Sequence, residues 1–262
     1  MTIVLIAIAC YLLATAALAR SLRGDLRRIP LAIWALPAAG IALHIAAHLW
    51  AWREAGGANL HIVSALSIVG IGMAMLTWLV GMRGRMAALG VIVFPIAALT
   101  ALAYGLLGRH EPGTLDWRLQ LHAWSALLAY ATLAVAALLA MLLWLQERAL
   151  RQRRFIGWLR ALPPLVELET LLFRTIGAGF VLLTGALLSG VLFVEDLLAQ
   201  HLAHKTVFSL LSWLAFGALL LGRRLRGWRG TTAVRWTLLA MALLVLAYFG
   251  SNAVLELILK RR

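Results

Sequence analysis

Acid is scarce in this chain: Asp and Glu number 10 in 262 residues, against 24 Lys and Arg. An ion channel or ion-coupled carrier normally keeps carboxylates inside its spans. Here the candidates are Glu256, near the end of the last apolar run, and Glu167 and Glu169 at the edge of another. Cysteine is scarcer still. Cys10 stands alone, which excludes an intrachain disulfide and any C-x-x-C dithiol chemistry. Proline is rare as well. Pro37 and Pro95 are the two placed well within apolar runs, and they form no matched pair of the kind that breaks helices in secondary transporters. Glycine-rich phosphate loops, a Ser-His-Asp set and an H-E-x-x-H zinc motif are all missing, so nothing marks a hydrolase and no catalytic residue is assigned.

What fills the chain instead is apolar sequence. Hydrophobic residues make up 63%, well above the roughly 45–50% of soluble domains. Eight runs near the ~20 residues that a membrane helix needs lie at about 3–19, 31–52, 60–80, 86–107, 117–145, 171–194, 206–222 and 233–258. In lipid every backbone N–H and C=O must be satisfied within the segment, so each run is expected to be helical. The expected fold is all-α, a polytopic membrane bundle of about eight transmembrane helices forming a single integral membrane domain over 1–262. The opening run, MTIVLIAIACYLLATAALAR, has no basic residue ahead of it and is expected to be a retained first span.

The net charge of +14 raises the question of nucleic acid. The basic residues are scattered in short clusters between apolar runs, a pattern that fits anionic lipid headgroups and topology control; no nucleic-acid partner is expected. Arg20, Arg23, Arg27 and Arg28 follow the first run, Arg83 and Arg85 the third, Arg148, Arg151, Arg153, Arg154 and Arg160 the fifth, and Arg223, Arg224, Arg226 and Arg229 the seventh. The alternate connections hold only Arg53, Arg109, Arg118 and Lys205. By the positive-inside rule the first group is cytoplasmic and both termini are outside. The connection at about 146–170 places Phe155, Ile156, Trp158, Leu159 and Leu162 among arginines, which suits either a short basic amphipathic helix on the inner leaflet, ended by Pro163 and Pro164, or a plain basic loop.

All seven histidines, His44, His48, His61, His110, His122, His201 and His204, fall in the outer halves of spans or in outer connections on this topology. His44 and His48 are four apart and share a helix face. His61 begins the third helix, His122 lies just inside the fifth, and His201 and His204 precede the seventh. Imidazole is the commonest metal ligand near neutral pH and a usual axial ligand of haem iron. With few acids nearby, an apolar pocket lined by histidine suits a flat apolar cofactor better than a bare cation. On helix five, His122, Ala126 and Tyr130 line one face, and Ala123, Ser125, Ala126 and Ala129 are small enough to admit a close neighbour.

Several stretches together resemble the CcsA-type cytochrome c assembly family, which includes YpjD-like and HemX-like inner-membrane branches. They are LHAWSALLAYATL from Leu121, LPPLVELETLLFRTIGAGFVLLTGALLSG from Leu162, HKTVFSLLSWLAFGALLLGRR from His204, RGWRGTTAVRW from Arg226, and LAYFGSN ending at Asn252; ALHIAAHL from Ala42 fits as well. The resemblance implies a haem-handling, multi-pass protein of the bacterial inner membrane, engaged in cytochrome c assembly with a membrane or cytoplasmic protein partner. It implies haem as cofactor, with His44 and His122 as iron ligands and His48 or His61 as alternates. The cytochrome-synthase members present haem from an outer tryptophan-rich loop ending in Trp-Asp. Here that connection reads VEDLLAQHLAHKT, and no histidine follows YFGSN. The chain is therefore expected in the YpjD-like or HemX-like branch. The alternative function in that branch is a non-catalytic membrane regulator or scaffold, docking a haem-biosynthesis or assembly enzyme on the basic stretch 148–160. Replacing His44 with alanine is expected to lower haem content without disturbing folding.

Overall fold

The computed structural model describes residues 1–23, 30–58, 60–83, 87–108, 116–153, 162–193 and 200–250. Among them every regular element is helical, and eight helices are long and apolar enough to cross a membrane. They are α1 (Thr2–Arg23), α2 (Ala35–Ala55, entered through a 3-10 turn at Leu31–Trp34), α3 (Ile62–Arg83), α4 (Ala87–Leu107), α5 (Trp117–Arg151), α6 (Leu165–Phe193), α7 (Gln200–Arg226) and α8 (Gly230–Val245), the last continued by a π-helical turn at Leu246–Gly250. The helices group into two compact units. The first comprises residues 1–114 and 149–164, and the second 115–148 and 165–262.

In the first unit α1 packs on α2 and α4, and α3 packs on α2 and α4. The buried face of α1 reads Val4, Ala7, Tyr11, Ala14, Leu18 and Ser21, alternating steps of three and four that keep one stripe on the neighbours. Leu18 lies against Gly90 and Val4 against Gly105, so α1 and α4 run antiparallel. Trp34 is buried at the entry to α2, where its ring lies over Gly81 of α3; a Cβ on Gly81 would collide with it. Trp78 closes the same corner by donating its Nε1–H to the Trp34 carbonyl at 2.9 Å. At its other end α2 stops where Gly56 turns left-handed (φ 75°) and its N–H bonds the Trp52 carbonyl, the ordinary glycine stop.

In the second unit α5 and α6 are antiparallel, with Leu133 packed over Gly179. α7 packs on α6 and α8. Trp213 of α7 donates to Thr184 Oγ1 of α6 at 2.8 Å, and Ser212 donates to the Ala240 carbonyl of α8 at 2.8 Å. Tyr130 closes the ring from α5 to α8 by donating to the Leu244 carbonyl at 2.6 Å.

Several expected boundaries move. α5 continues six residues past 145 to Arg151, and α6 starts at Leu165 rather than 171. Hydropathy stops where charge begins, but a helix does not when its charges are paired. These extensions of α5 and α6 narrow the basic connection expected at about 146–170, and residues 154–161, which carry most of its expected amphipathic face, lie outside the described residues. His201 and His204 belong to the first turns of α7, not to a connection. The last apolar run, expected to reach 258, is described only to Gly250.

Candidate functional site

The first unit gathers His44 and His48. Both are buried, and both Nε2 atoms reach the Ser67 hydroxyl of α3, at 2.7 Å and 3.0 Å. A serine hydroxyl has one hydrogen, so it donates to one imidazole and accepts from the other. His48 Nδ1 is buried without a hydrogen-bond partner among the described residues. An orphaned N–H there would be costly, whereas an orphaned lone pair costs less. The favoured order is therefore His48 Nε2–H to Ser67 Oγ, and Ser67 O–H to His44 Nε2. His44 Nδ1 then faces the Tyr11 hydroxyl at 3.5 Å, the outer limit of a hydrogen bond. His48 also stacks on Tyr104 of α4, ring centroids 3.8 Å apart and planes 20° from parallel. The expected face-sharing of His44 and His48 is present, but the pair offers no free Nε2. As arranged, Ser67 occupies both Nε2 atoms, so neither imidazole would be open to a metal. His61 immediately precedes α3, half-buried, and its carbonyl accepts the Ala65 N–H at 2.8 Å.

The second unit holds His122, half-buried on the first turns of α5. Its Nδ1 lies 2.9 Å from the Ala186 carbonyl and 3.2 Å from Ser189 Oγ, both on α6. A carbonyl only accepts, so Nδ1 carries the hydrogen. In the neutral ring Nε2 then carries the lone pair, and it has no hydrogen-bond partner among the described residues. An imidazole oriented through Nδ1–H by a backbone carbonyl is the arrangement that readies Nε2 for a metal. Gly190 makes room for it, because a Cβ there would stand 3.1 Å from the imidazole Cε1. His122 thus fits an iron ligand. Ser125 and Tyr130 do not join it. Ser125 donates back to the His122 carbonyl at 2.8 Å, and Tyr130 faces α8. His204 is exposed at the start of α7; the His201 side chain and His110 lie outside the described residues.

At the opposite end of the second unit, Glu169 of α6 is buried and paired with two arginines. Arg223 of α7 donates to Oε1, and Arg229 reaches Oε2 at 3.3 Å. The Arg223 guanidinium also lies 4.3 Å above the Phe173 ring. Between the two arginines Gly227 turns with φ 65° and Trp228 folds back over Gly222, stacking on Trp236 of α8. The GWRG stretch therefore builds a latch among α6, α7 and α8. Sequence reading placed Glu169 only as interfacial. The available signal was a lone acid at the head of an apolar run with arginines flanking a Gly-Trp turn. Ser67 carried no such signal, since nothing distinguishes it from Ser64 one turn earlier. Glu256 lies outside the described residues.

Among the described residues no group of three or more His, Cys, Asp and Glu gathers to hold a metal ion. Comparison with known proteins gives a family. The family described as "Cytochrome C assembly protein" matches residues 42–259, from the turn of α2 that carries His44 onward. The inner membrane protein YpjD of Escherichia coli K12 is 30% identical over 208 residues, 77% of either chain. A 28.8 kDa protein of Azospirillum brasilense is 34% identical over 169 residues, 62% of either chain. The cytochrome c biogenesis protein CcsA of Synechococcus sp. WH7803 is 32% identical over 88 residues, 33% of this chain and 28% of that one. No solved structure matches. YpjD is matched over most of its length and CcsA over less than a third, in keeping with the expected branch. The chain belongs to the cytochrome c assembly protein family, in its YpjD-like branch.

Proposed function

We propose that this multi-pass inner-membrane protein handles haem during cytochrome c assembly, with His122 as the ligand to iron. The observation that carries the reading is the Ala186 carbonyl on His122 Nδ1, which leaves Nε2 unprotonated in the neutral ring. Haem supplies an iron whose axial positions accept imidazole, and two carboxylates at one edge of an apolar plane. The chain supplies the oriented imidazole of α5 and an aromatic rim at Trp117 and Phe193, whose rings lie 6.1 Å apart. His44, with His48 and His61 as alternates, is proposed as an iron ligand within the first unit by itself, open to a metal only where Ser67 does not occupy its Nε2. Sidedness follows the basic residues, with His122 on the outer face and the Glu169 latch on the cytoplasmic face. The absent tryptophan-rich loop is then the task of an assembly partner.

The test is an absorption spectrum of detergent-purified protein, oxidised and dithionite-reduced, with iron counted per chain. Haem bound through imidazole gives a Soret band with sharp reduced α and β bands, and His122→Ala is expected to remove most of it. A clear spectrum after expression in a haem-sufficient host, with no uptake of added haem, would sink the proposal and leave the regulator or scaffold reading, whose docking face is the basic stretch 148–160.

A further inference from the structure

The turn of α5 ahead of His122 carries a guanidinium that aromatic rings hold in place, with no carboxylate partner among the described residues. Arg118 is exposed, and its Cζ lies 5.6 Å from the centroid of the Trp117 ring and 5.9 Å from that of Phe193. Two aromatic faces limit where so flexible a side chain can go. Among the described residues no acid pairs with it. The nearby carboxylate, Asp116, turns Oδ1 to the Trp117 N–H at 2.8 Å. Arg118 and His122 are four apart, so they share a helix face about 6 Å apart along the axis. α6 repeats the spacing, with Ser189 beside His122 and Phe193, four residues on, beside Arg118. The two helices thus form a two-rung ladder. One rung fixes an imidazole whose Nε2 has no partner among the described residues, and the next, nearer the helix end, fixes a cation with no acid partner among them.

We infer that Arg118 is a specificity-determining residue that binds a carboxylate of the ligand whose iron His122 takes. The inference rests on the proposed haem reading and narrows the substrate to a metallomacrocycle bearing free carboxylates at one edge. The apolar plane has no use for a charge, but its carboxylate edge does. A guanidinium fork matches a carboxylate with two parallel hydrogen bonds, which an ammonium cannot reproduce.

Titration of the full chain in detergent with ferric protoporphyrin IX and, separately, with its dimethyl ester tests this. Both probes carry the same iron, and only the first has free carboxylates. Arg118→Gln is expected to weaken binding of the acid about twofold to fivefold, the worth of one exposed charge-assisted pair, and to leave binding of the ester unchanged. Arg118→Lys should fall between. Equal loss for both probes, or loss for neither, would overturn the role of Arg118 while leaving the haem reading in place. His122→Ala should weaken both probes alike. If it weakens neither, the haem reading falls, and this inference with it.

Discussion

Ser67 decides what the two buried histidines of the first unit can do. One hydroxyl serves two Nε2 atoms, so Ser67→Ala leaves two buried ring nitrogens without partners. In water each such orphan would cost about 1–3 kcal/mol. Within a membrane, interhelical hydrogen bonds average nearer 0.6 kcal/mol, because the alternative states also find partners. A net loss of about 1–2 kcal/mol is expected, read as a lower thermal midpoint in detergent. An unchanged midpoint would mean the Ser67 contacts carry no stability. The same variant frees both Nε2 atoms, so haem uptake that depends on His44 should rise in it. His44→Ala, expected from sequence to leave folding intact, has a different reading now. His44 is fully buried between α1 and α3, so its removal opens a void as well as a broken hydrogen bond. Sequence showed the histidines because imidazole is rare in apolar spans. It did not show Ser67, because serine in such spans is common and its facing partner depends on the helix rotation that packing sets.

The helices follow hydropathy through their middles and depart from it at their ends. α6 begins six residues before its apolar run because Glu169, an acid that hydropathy rejects, is neutralised by Arg223 and Arg229. α8 passes into a π turn at Leu246–Gly250. A π turn shifts the donor register by one residue, and Tyr130 brings a hydroxyl to the Leu244 carbonyl just before the shift. The Tyr130 and YFGSN stretches behind the family resemblance thus meet in space, which their separation of more than a hundred residues hides in the sequence. Glu169→Gln tests the latch. Were both arginines fully buried, breaking the pair would cost about 3–5 kcal/mol. Their side chains remain 33% and 60% exposed, so water compensates them. The expected loss is about 1–2 kcal/mol, with the drop in thermal midpoint shared by Arg223→Gln and Arg229→Gln and less than additive between them. Additive losses would show that the three side chains do not act as one unit.

For the whole molecule, orientation in the membrane decides the haem reading, because that reading needs His122 on the side where cytochrome is assembled. Charge alone argues for it. The arginines of 20–28, 83–85, 148–160 and 223–229 fall in alternate connections, and near a membrane a cluster of that kind resists translocation. The tail Lys260, Arg261 and Arg262 opposes them but comes last, after the preceding clusters have set the frame. α7 gives a clean readout, since His204 at one end and Arg226 at the other are both exposed. In a Cys10→Ser background, His204→Cys is expected to react with a membrane-impermeant maleimide added to intact spheroplasts. Arg226→Cys should react only after the membrane is opened. The reverse pattern would place His122 on the side where the arginines now stand. Haem would then be met as it leaves synthesis rather than as it reaches the cytochrome, and the regulator reading would gain the stronger claim on the same residues.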